Sequence, residues 1–371
     1  MKTNDQAQAP DMASWILAAG GTGGHINAAI AIGEFLERSG FNQKPVKIIY
    51  VSGQRELDYK LFKNYTCYHF HALSLVGKNP LFIIKSFFFN FLVFLKAFFL
   101  FLKNKPNGII GCGGYICGPT LLAGYLLGIP IYSLEQNSVM GLTNKLLAKI
   151  SRKIFLNFSE VKNFDQKKYQ DKTYVVGNPM RFNLNGLTGE GSKNSETLQN
   201  ILIFGGSLGS SEINNAIFDL IHTGMLKSKK IIWQTGLTNF DEIKNKLKSQ
   251  NIDMKQIEVL AYLDDMDKYY NWADVIISRS GASTVSELEV VGKCCILIPY
   301  QHLDQHQYYN AVNLQKNNEF FVGIVKNSPK ESPLSLQLSN LLKEIETHLH
   351  FTKVRPKTNN ATQLIWNELS K

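Results

Sequence analysis

Residues 15–25 read WILAAGGTGGH, an apolar run that ends abruptly in paired glycines and a histidine. Apolar β-formers followed at once by glycine describe a buried strand turning into a helix. The device recurs as NGIIGCGGY at 107–115 and NILIFGGSLGS at 200–210, with a Ser/Arg version, DVIISRSGAS, at 274–283. Further strand-like runs lie between helical patterns: VKIIYVS at 46–52, IPIYSLE at 129–135, KIIWQTG at 230–236 and CCILIPY at 294–300. Strands that alternate with helices and end in glycine turns predict a parallel α/β architecture.

A chain of 371 residues exceeds what one hydrophobic core organises, so two domains are expected. The polar stretch NLNGLTGEGSKNSETLQN, 183–200, has the Gly, Ser and Asn content of a linker. The predicted organisation is a Rossmann-like domain over 1–182, a linker or loop over 183–198 and a second Rossmann-like domain over 199–371. The last helix, around 358–371, is a candidate to pack back on the first domain.

Lys and Arg number 40 against 30 Asp and Glu, and the net charge of +10 favours an anionic partner. Nucleic acid, an anionic membrane surface and phosphorylated small molecules all qualify, but the chain lacks the concentrated Lys/Arg stripe that nucleic acid needs. The five cysteines, Cys67, Cys112, Cys117, Cys294 and Cys295, include no CxxC pair and are odd in number. That argues against a zinc site or a disulfide framework and for reducing cytosol. The polar start, MKTNDQAQAPDMAS, and the short WILAA after it do not make a signal-peptide core.

In GGTGGH (20–25) a helix start leaves backbone amides unpaired and adds dipole charge. Such a place suits phosphate or a sugar hydroxyl, or is simply a tight turn. The motif is not GxGxxG, because position 26 is Ile, and VKIIYVS ends without the acid that a dinucleotide ribose would use. A nicotinamide dehydrogenase is therefore disfavoured. GGSLGS (205–210) repeats the arrangement and adds the Ser207 hydroxyl as a donor for a diphosphate. In RSGASTVSE (279–287), Glu287 is placed either to accept from a ribose diol or to cap local amides.

These turns occur in order with GCGGYICGP (111–119), EQNSVMGLTNKLLAK (135–149), GNPMR (177–181), RSGASTVSEL (279–288) and PYQHLDQHQYYNA (299–311). Together, from about residue 15 to 315, they resemble the MurG family of peptidoglycan N-acetylglucosaminyltransferases. The resemblance implies the glycosyltransferase-B fold: α/β, with two Rossmann-like domains facing a central cleft, the acceptor on the first and UDP-GlcNAc mostly on the second. It implies an inverting hexosyltransferase that moves GlcNAc from UDP-GlcNAc to the 4-hydroxyl of MurNAc in undecaprenyl-pyrophosphoryl-MurNAc-pentapeptide. That step converts lipid I to lipid II in cell-wall biosynthesis.

Carried over by motif, the resemblance implies that Thr22, Gly23 and Gly24 approach the donor, that Asn137 contacts the sugar, and that Arg181 and Ser207 serve the diphosphate. Leu263, in YLDDM, would read uracil through its backbone, and Gln307 would hold GlcNAc hydroxyls. Ala282, Ser283, Thr284, Val285, Ser286 and Glu287 would line nucleoside and sugar, with Glu287 on the ribose. Gly113, Gly114 and Tyr115 would face the acceptor. Two departures are present. INAAIAI follows His25 where the family has a proline in the helix's first turn, and GGSLG replaces GGSQG.

Inversion needs a base for the acceptor hydroxyl, and His25 is the candidate. A helix N-terminus disfavours the imidazolium and keeps the ring able to take a proton near neutral pH. The alternative is that His25 only orients the loop. Turn amides and Arg181 would hold the departing UDP, so neither a metal nor a cofactor is expected. DDMD at 264–267 has the composition of a metal cluster, but its place before YYNWAD fits helix capping better.

Residues 86–102 read SFFFNFLVFLKAFFLFL. At about 100° per residue, Lys85, Lys96 and Lys103 fall together with Ser86, Asn90 and Ala97 beside them. Phe87, Phe91, Phe94, Phe98 and Leu102 take the opposite side, part of which is expected to cover the sheet. The run is long enough to span a bilayer, yet lysines recurring on one face suit a helix packed on a domain or lying in the interface. The resemblance implies an apolar patch with basic residues on the cytoplasmic leaflet of the inner membrane, here around 75–103. The expected location is thus peripheral rather than transmembrane.

Two rivals frame the reading. A diacylglycerol glycosyltransferase would share the glycine loops and the membrane patch, but GCGGYICGP and EQNSVMGLTNK favour the muramyl acceptor. A UDP-sugar-binding sensor would be expected to have lost His25 or Glu287, and both are present.

Overall fold

The computed structural model describes residues 12–74, 79–181, 198–206, 209–301, 305–325, 331–347 and 357–371. One compact unit comprises Met1–Gln136, Met140–Arg181 and Asn360–Lys371; the other comprises Asn137–Val139 and Phe182–Asn359. The expected linker, 183–198, lies outside the described residues except for Leu198, as do Ser207 and 75–78 of the expected membrane patch.

The first unit's strands are β1 (Ala13–Ala19), β2 (Val46–Ser52), β3 (Cys67–His69), β4 (Gly108–Gly113), β5 (Ile131–Glu135), β6 (Lys153–Leu156) and β7 (Thr173–Val175). They form a parallel sheet in the order β3-β2-β1-β4-β5-β6-β7. Helices α1 (Gly23–Ser39), α2 (Glu56–Leu61), α3 (Pro80–Asn104), α4 (Cys117–Leu126) and α5 (Leu142–Leu147) lie along the chain between them. β1 and β4 are buried on both faces, which is why they read as unbroken apolar or small runs rather than alternating ones. Trp15, Leu17 and Tyr50 pack against Ile26, Ile30 and Leu36 of α1. The opposite face, with Ile16, Ile109 and Ile131, packs against Val93, Ala97 and Phe101 of α3 and Leu121 of α4.

The second unit repeats the plan with β8 (Asn200–Phe204), β9 (Lys230–Gln234), β10 (Ile257–Leu260), β11 (Val275–Ser278), β12 (Cys294–Leu297) and β13 (Val322–Ile324), parallel in the order β10-β9-β8-β11-β12-β13. Its helices are α6 (Ser211–His222), α7 (Phe240–Ser249), α8 (Met266–Trp272), α9 (Ala282–Val291), α10 (His306–Lys316) and α11 (Leu334–Thr347). The final helix, α12 (Ala361–Leu369), belongs to the first unit: Ile365 and Leu369 join its core, and Lys153 pairs with Glu368 at 3.0 Å.

Strand order reverses between β1 and β4 in the first sheet, and between β8 and β11 in the second. A crevice opens at the carboxyl ends of strands at such a switch point, and ligands of open α/β sheets bind there. Residues 20–22, 114–116, 205–206 and 279–281, all in glycine-bearing motifs, directly follow these four strands.

Of the expected apolar face of α3, Phe94 and Phe98 reach the core, and the arc that carries Ser86 and Ala97 covers the sheet beside them. The buried residues of α3 are Ser86, Val93, Ala97, Leu100 and Phe101, so the small and polar arc faces inward. The Ser86 hydroxyl donates to the Phe82 carbonyl (2.8 Å), and the Asn90 amide bonds both backbone groups of Leu73 (3.1 and 2.9 Å). With their polar atoms satisfied, these short side chains let α3 approach the sheet and α4 closely. Phe87, Phe88, Phe91 and Phe99 point outward, each 56–65% exposed, while Phe94 and Phe98 are partly buried against the core. By length and composition α3 could cross a membrane, but one stripe of it is part of this unit's core.

Candidate active site

β1 ends at Ala19, and the chain turns through Gly20–Thr22 into α1. Thr22 is the N-cap, its hydroxyl accepting from the His25 amide at 3.4 Å. His25 Nδ1 stands 3.1 Å from the Gly20 carbonyl. A carbonyl can only accept, so Nδ1 carries a proton, and the neutral form of the ring that fits this contact has its lone pair on Nε2. The ring lies against Gly113, at the end of β4. A Cβ there would sit 2.4 Å from His25 Cδ2 and 2.7 Å from Nε2, and the Gly113 φ of +119° is one that side-chain-bearing residues rarely adopt. The GCGGY motif is thus a seat for the His25 ring. Gly114 abuts Gly20, and Tyr115 stands exposed.

This turn has a support that the sequence reading missed. Asp58, fully buried on α2, accepts from Gly21 N (3.1 Å), Ser52 Oγ (3.0 Å) and Arg55 N (2.9 Å). Arg55 Nη1 in turn donates to the Gly21 carbonyl at 2.9 Å. A buried carboxylate with three donors makes a rigid footing for the Gly20–Gly21 peptide on which His25 leans. In sequence, Asp58 three residues after Arg55 signals only a helix-capping acid, which it also is.

In the second unit, the turn after β8 is folded on itself and on β9. Gly205 N donates to Gln234 Oε1 (3.3 Å), Gly209 N to the Gly206 carbonyl (2.9 Å), and Ser210 caps α6. Gly209 has a φ of +76°, and a Cβ there would lie 2.1 Å from the Thr235 carbonyl. Arg279, buried at the end of β11, donates to Ser210 Oγ (2.8 Å), the Glu212 carboxylate (2.6 Å) and the Ile298 carbonyl (3.1 Å). One guanidinium therefore ties together the turns that follow β8, β11 and β12, a use of its planar fork that lysine could not match.

α9 starts after Gly281 with no side chain capping its first amides, which belong to Ala282, Ser283 and Thr284. Val285 and Ser286 are buried, whereas Glu287 is half-buried and accepts from the Tyr270 hydroxyl at 2.6 Å. Burial pushes the Glu287 carboxyl up to about 7; the Tyr270 hydrogen bond draws it back, and the charge of Asp267 adds to the rise. In the DDMD run, Asp265 caps α8 by accepting from Lys268 N at 3.3 Å. The Leu263 side chain is buried just before it.

Asn137 groups with the second unit, not with residues 1–182 as expected. Fully buried Asn310 of α10 donates to Asn137 Oδ1 and to the Ser280 carbonyl, both at 3.2 Å, and accepts from Ser138 N at 2.8 Å. It thereby links Asn137 to the RSGAS turn. Gln307, in the first turn of α10, accepts from Tyr300 N at 2.9 Å. Arg181 is exposed in the first unit, where its charge acts on the Tyr65 phenol; burial and the Glu34 carboxylate still push that phenol up to about 12. The first unit therefore assembles Thr22, His25, Gly113, Gly114 and Tyr115. The second assembles Asn137, Ala282 to Glu287 and Gln307.

Residues 15–156 match the glycosyltransferase family 28 N-terminal domain, and residues 200–365 match the glycosyltransferase family 28 C-terminal domain. The chain is 37% identical over 318 residues to a protein of Francisella tularensis subsp. holarctica, across 82% of this chain and 83% of that one. That relative is described as UDP-N-acetylglucosamine–N-acetylmuramyl-(pentapeptide) pyrophosphoryl-undecaprenol N-acetylglucosamine transferase. The chain belongs to glycosyltransferase family 28. A relative of the same description from Myxococcus xanthus is 34% identical over 304 residues, 80% of this chain and 76% of its own. Among solved structures, MurG of Acinetobacter baumannii aligns with 96% of this chain and 99% of its own, at a TM-score of 0.68 and 24% identity. The UDP-GlcNAc 2-epimerase of Neisseria meningitidis, bound to UDP-GlcNAc, aligns over 96% and 99% at a TM-score of 0.62 and 14% identity. At those identities the two speak to the fold, which in this family 28 chain is of the glycosyltransferase-B type.

Proposed function

We propose that this family 28 chain moves GlcNAc from UDP-GlcNAc to the 4-hydroxyl of MurNAc in undecaprenyl-pyrophosphoryl-MurNAc-pentapeptide, with inversion. The observation that carries the reading is the 37% identity over 82% of the chain to a transferase named for that reaction. The acceptor O4 bonds to C1 of GlcNAc as the bond from C1 to the β-phosphate oxygen breaks. UDP leaves with the electron pair, and the hydroxyl proton passes to His25 Nε2. The hydrogen bond from Nδ1 to Gly20 supports this role, because it selects the tautomer that can take a proton at Nε2. In the second unit, the carboxylate of Glu287 is proposed to hold the ribose diol, and the first amides of α9 and the turn after β8 to hold nucleotide and phosphate.

The undecaprenyl chain stays in the bilayer, so the enzyme has to reach it there. α3 offers Ile84, Phe87, Phe91 and Leu102 outward, with Lys85, Lys96 and Lys103 along one flank. α4 packs on α3 and α5 on α4, and they add exposed Leu126 and Leu146 to the same layer. An apolar surface of this extent marks an interaction site, and basic residues beside it favour anionic lipid. The chain is proposed to sit peripherally on the cytoplasmic leaflet through this face.

The test is transfer of labelled GlcNAc from UDP-GlcNAc onto a short-chain analogue of the lipid-linked muramyl-pentapeptide, in EDTA. A disaccharide product supports donor, acceptor and metal independence together. No product, with UDP-GlcNAc still bound, would sink the acceptor assignment. His25→Ala should lower turnover strongly with little change in UDP-GlcNAc affinity, and unchanged turnover would end its role as base.

A further inference from the structure

Tyr270 is a fully buried phenol at the last turn of α8, with its ring 6.3 Å centre to centre from that of Phe204 at the end of β8. Its hydroxyl is 2.6 Å from Glu287 Oε2. A tyrosine enclosed in this way has no water to turn to, so its hydroxyl has a single direction in which to donate. The ring is held by burial and by its contact with Phe204, and the bond in turn holds Oε2 of Glu287 in place. Oε2 is engaged on the inner side, which leaves Oε1 and the second lone pair of Oε2 for hydroxyls that arrive from outside.

A second carboxylate sharpens the need for this bond. Asp267, one turn before Tyr270 on α8, has its Oδ1 buried and, among the described residues, without a hydrogen-bond partner. Its negative charge opposes ionisation of Glu287, and burial opposes it further. The Tyr270 O–H favours the ionised form. Without that donor, Glu287 would be both less charged and free to rotate, and an undirected carboxyl cannot tell a diol from a single hydroxyl.

We infer that Tyr270 is a positioning residue for Glu287 and, through it, sets the preference of the nucleotide site for ribose over 2′-deoxyribose. The inference rests on the reading above that Glu287 receives the ribose diol. Neither the sequence pattern nor the motifs signal it: in YYNWAD, Tyr270 reads only as an apolar position of a short helix.

The experiment is calorimetric titration of the full-length protein with UDP and with 2′-deoxyuridine diphosphate, for wild type, Tyr270→Phe and Glu287→Gln. Wild type should prefer UDP by about tenfold or more, the worth of one charge-assisted hydrogen bond. Glu287→Gln should bring that preference to within about twofold. Tyr270→Phe should do the same by weakening UDP about tenfold while 2′-deoxyuridine diphosphate changes less than twofold. In the transfer assay it should raise the KM for UDP-GlcNAc and leave kcat within about twofold. A Tyr270→Phe protein that keeps the wild-type preference while Glu287→Gln loses it would overturn the positioning role and spare the ribose reading. Equal weakening of both nucleotides would reduce Tyr270 to packing and overturn the inference. Preference retained in both variants would overturn the ribose reading and the inference with it. If Tyr270→Phe folds poorly, Asp267→Asn, which leaves the Tyr270 hydroxyl on Glu287, should keep the wild-type preference for UDP, and its loss there would overturn the inference.

Discussion

Gly113→Ala tests how far catalysis depends on the seat of His25. The new methyl would start 2.4 Å from His25 Cδ2, against an ordinary contact of at least 3.4 Å, so the ring has to retreat by roughly 1 Å. The Gly20 carbonyl that holds Nδ1 cannot follow, because Gly20 N is itself bonded to the Gly113 carbonyl at 3.2 Å. Misplacing a catalytic group by about 1 Å costs on the order of 100-fold in rate, equivalent to about 2.7 kcal/mol of transition-state stabilisation. The φ of +119° adds a separate backbone penalty of about 1–3 kcal/mol to stability. The control is Gly128→Ala, where φ is +71° and a Cβ would meet nothing within 4 Å. Both variants should melt earlier, but only Gly113→Ala should lose turnover, with UDP-GlcNAc affinity within about twofold of wild type. The assays are labelled GlcNAc transfer at saturating donor, isothermal titration with UDP-GlcNAc, and thermal denaturation. Turnover by Gly113→Ala within about twofold of wild type would refute the reasoning, because the proposed base, displaced by that distance, could not work normally.

Asp58→Asn puts an amide where Gly21 N, Arg55 N and Ser52 Oγ all donate, so one donor faces an NH2. It should cost about 2–3 kcal/mol of stability by denaturant unfolding and lower turnover at least tenfold; an unaltered kcat would mean that the turn needs no such footing. Glu287 is raised from 4.5 to about 7, so the folded state binds its proton more tightly than the unfolded chain. Its contribution to stability is therefore full below about pH 4.5 and is lost as pH rises through about 7, whereas a diol that donates to it prefers the carboxylate. From about pH 6 to about pH 8, UDP-GlcNAc affinity should strengthen while the melting temperature of the free protein falls, and Glu287→Gln should flatten both slopes. The phosphates of UDP-GlcNAc do not titrate in that range, so a flat affinity profile for wild type would contradict the raised carboxyl. Changing exposed Phe87 and Phe91 to Asp should reduce flotation with anionic phospholipid vesicles at least tenfold and leave the melting temperature unchanged. Undiminished flotation would move the membrane contact away from α3.

Much of this protein is determined by sequence alone. The run WILAAGGTGGH and its three counterparts place strands, turns and helix starts in order, because a doubly covered parallel strand must be apolar throughout and, after three of the four, glycine at positive φ lets the chain turn tightly. The same local logic points to His25, since a residue one turn into a helix has its backbone neighbours set by the turn itself. What only the tertiary structure decided depends on contacts between distant segments. Periodicity separates the two faces of α3 but carries no sign: the face with Ser86, Asn90 and Ala97 went inward because small side chains allow close approach and their polar atoms found partners. Asp58 and Gly21 are 37 residues apart, Tyr270 and Glu287 are 17 apart, and Asn310 and Asn137 are 173 apart. Each pair is a donor and an acceptor of common type with no spacing rule between them. Packing of the sheets is what brings them within reach, and once they are buried there each depends on the other to replace lost water.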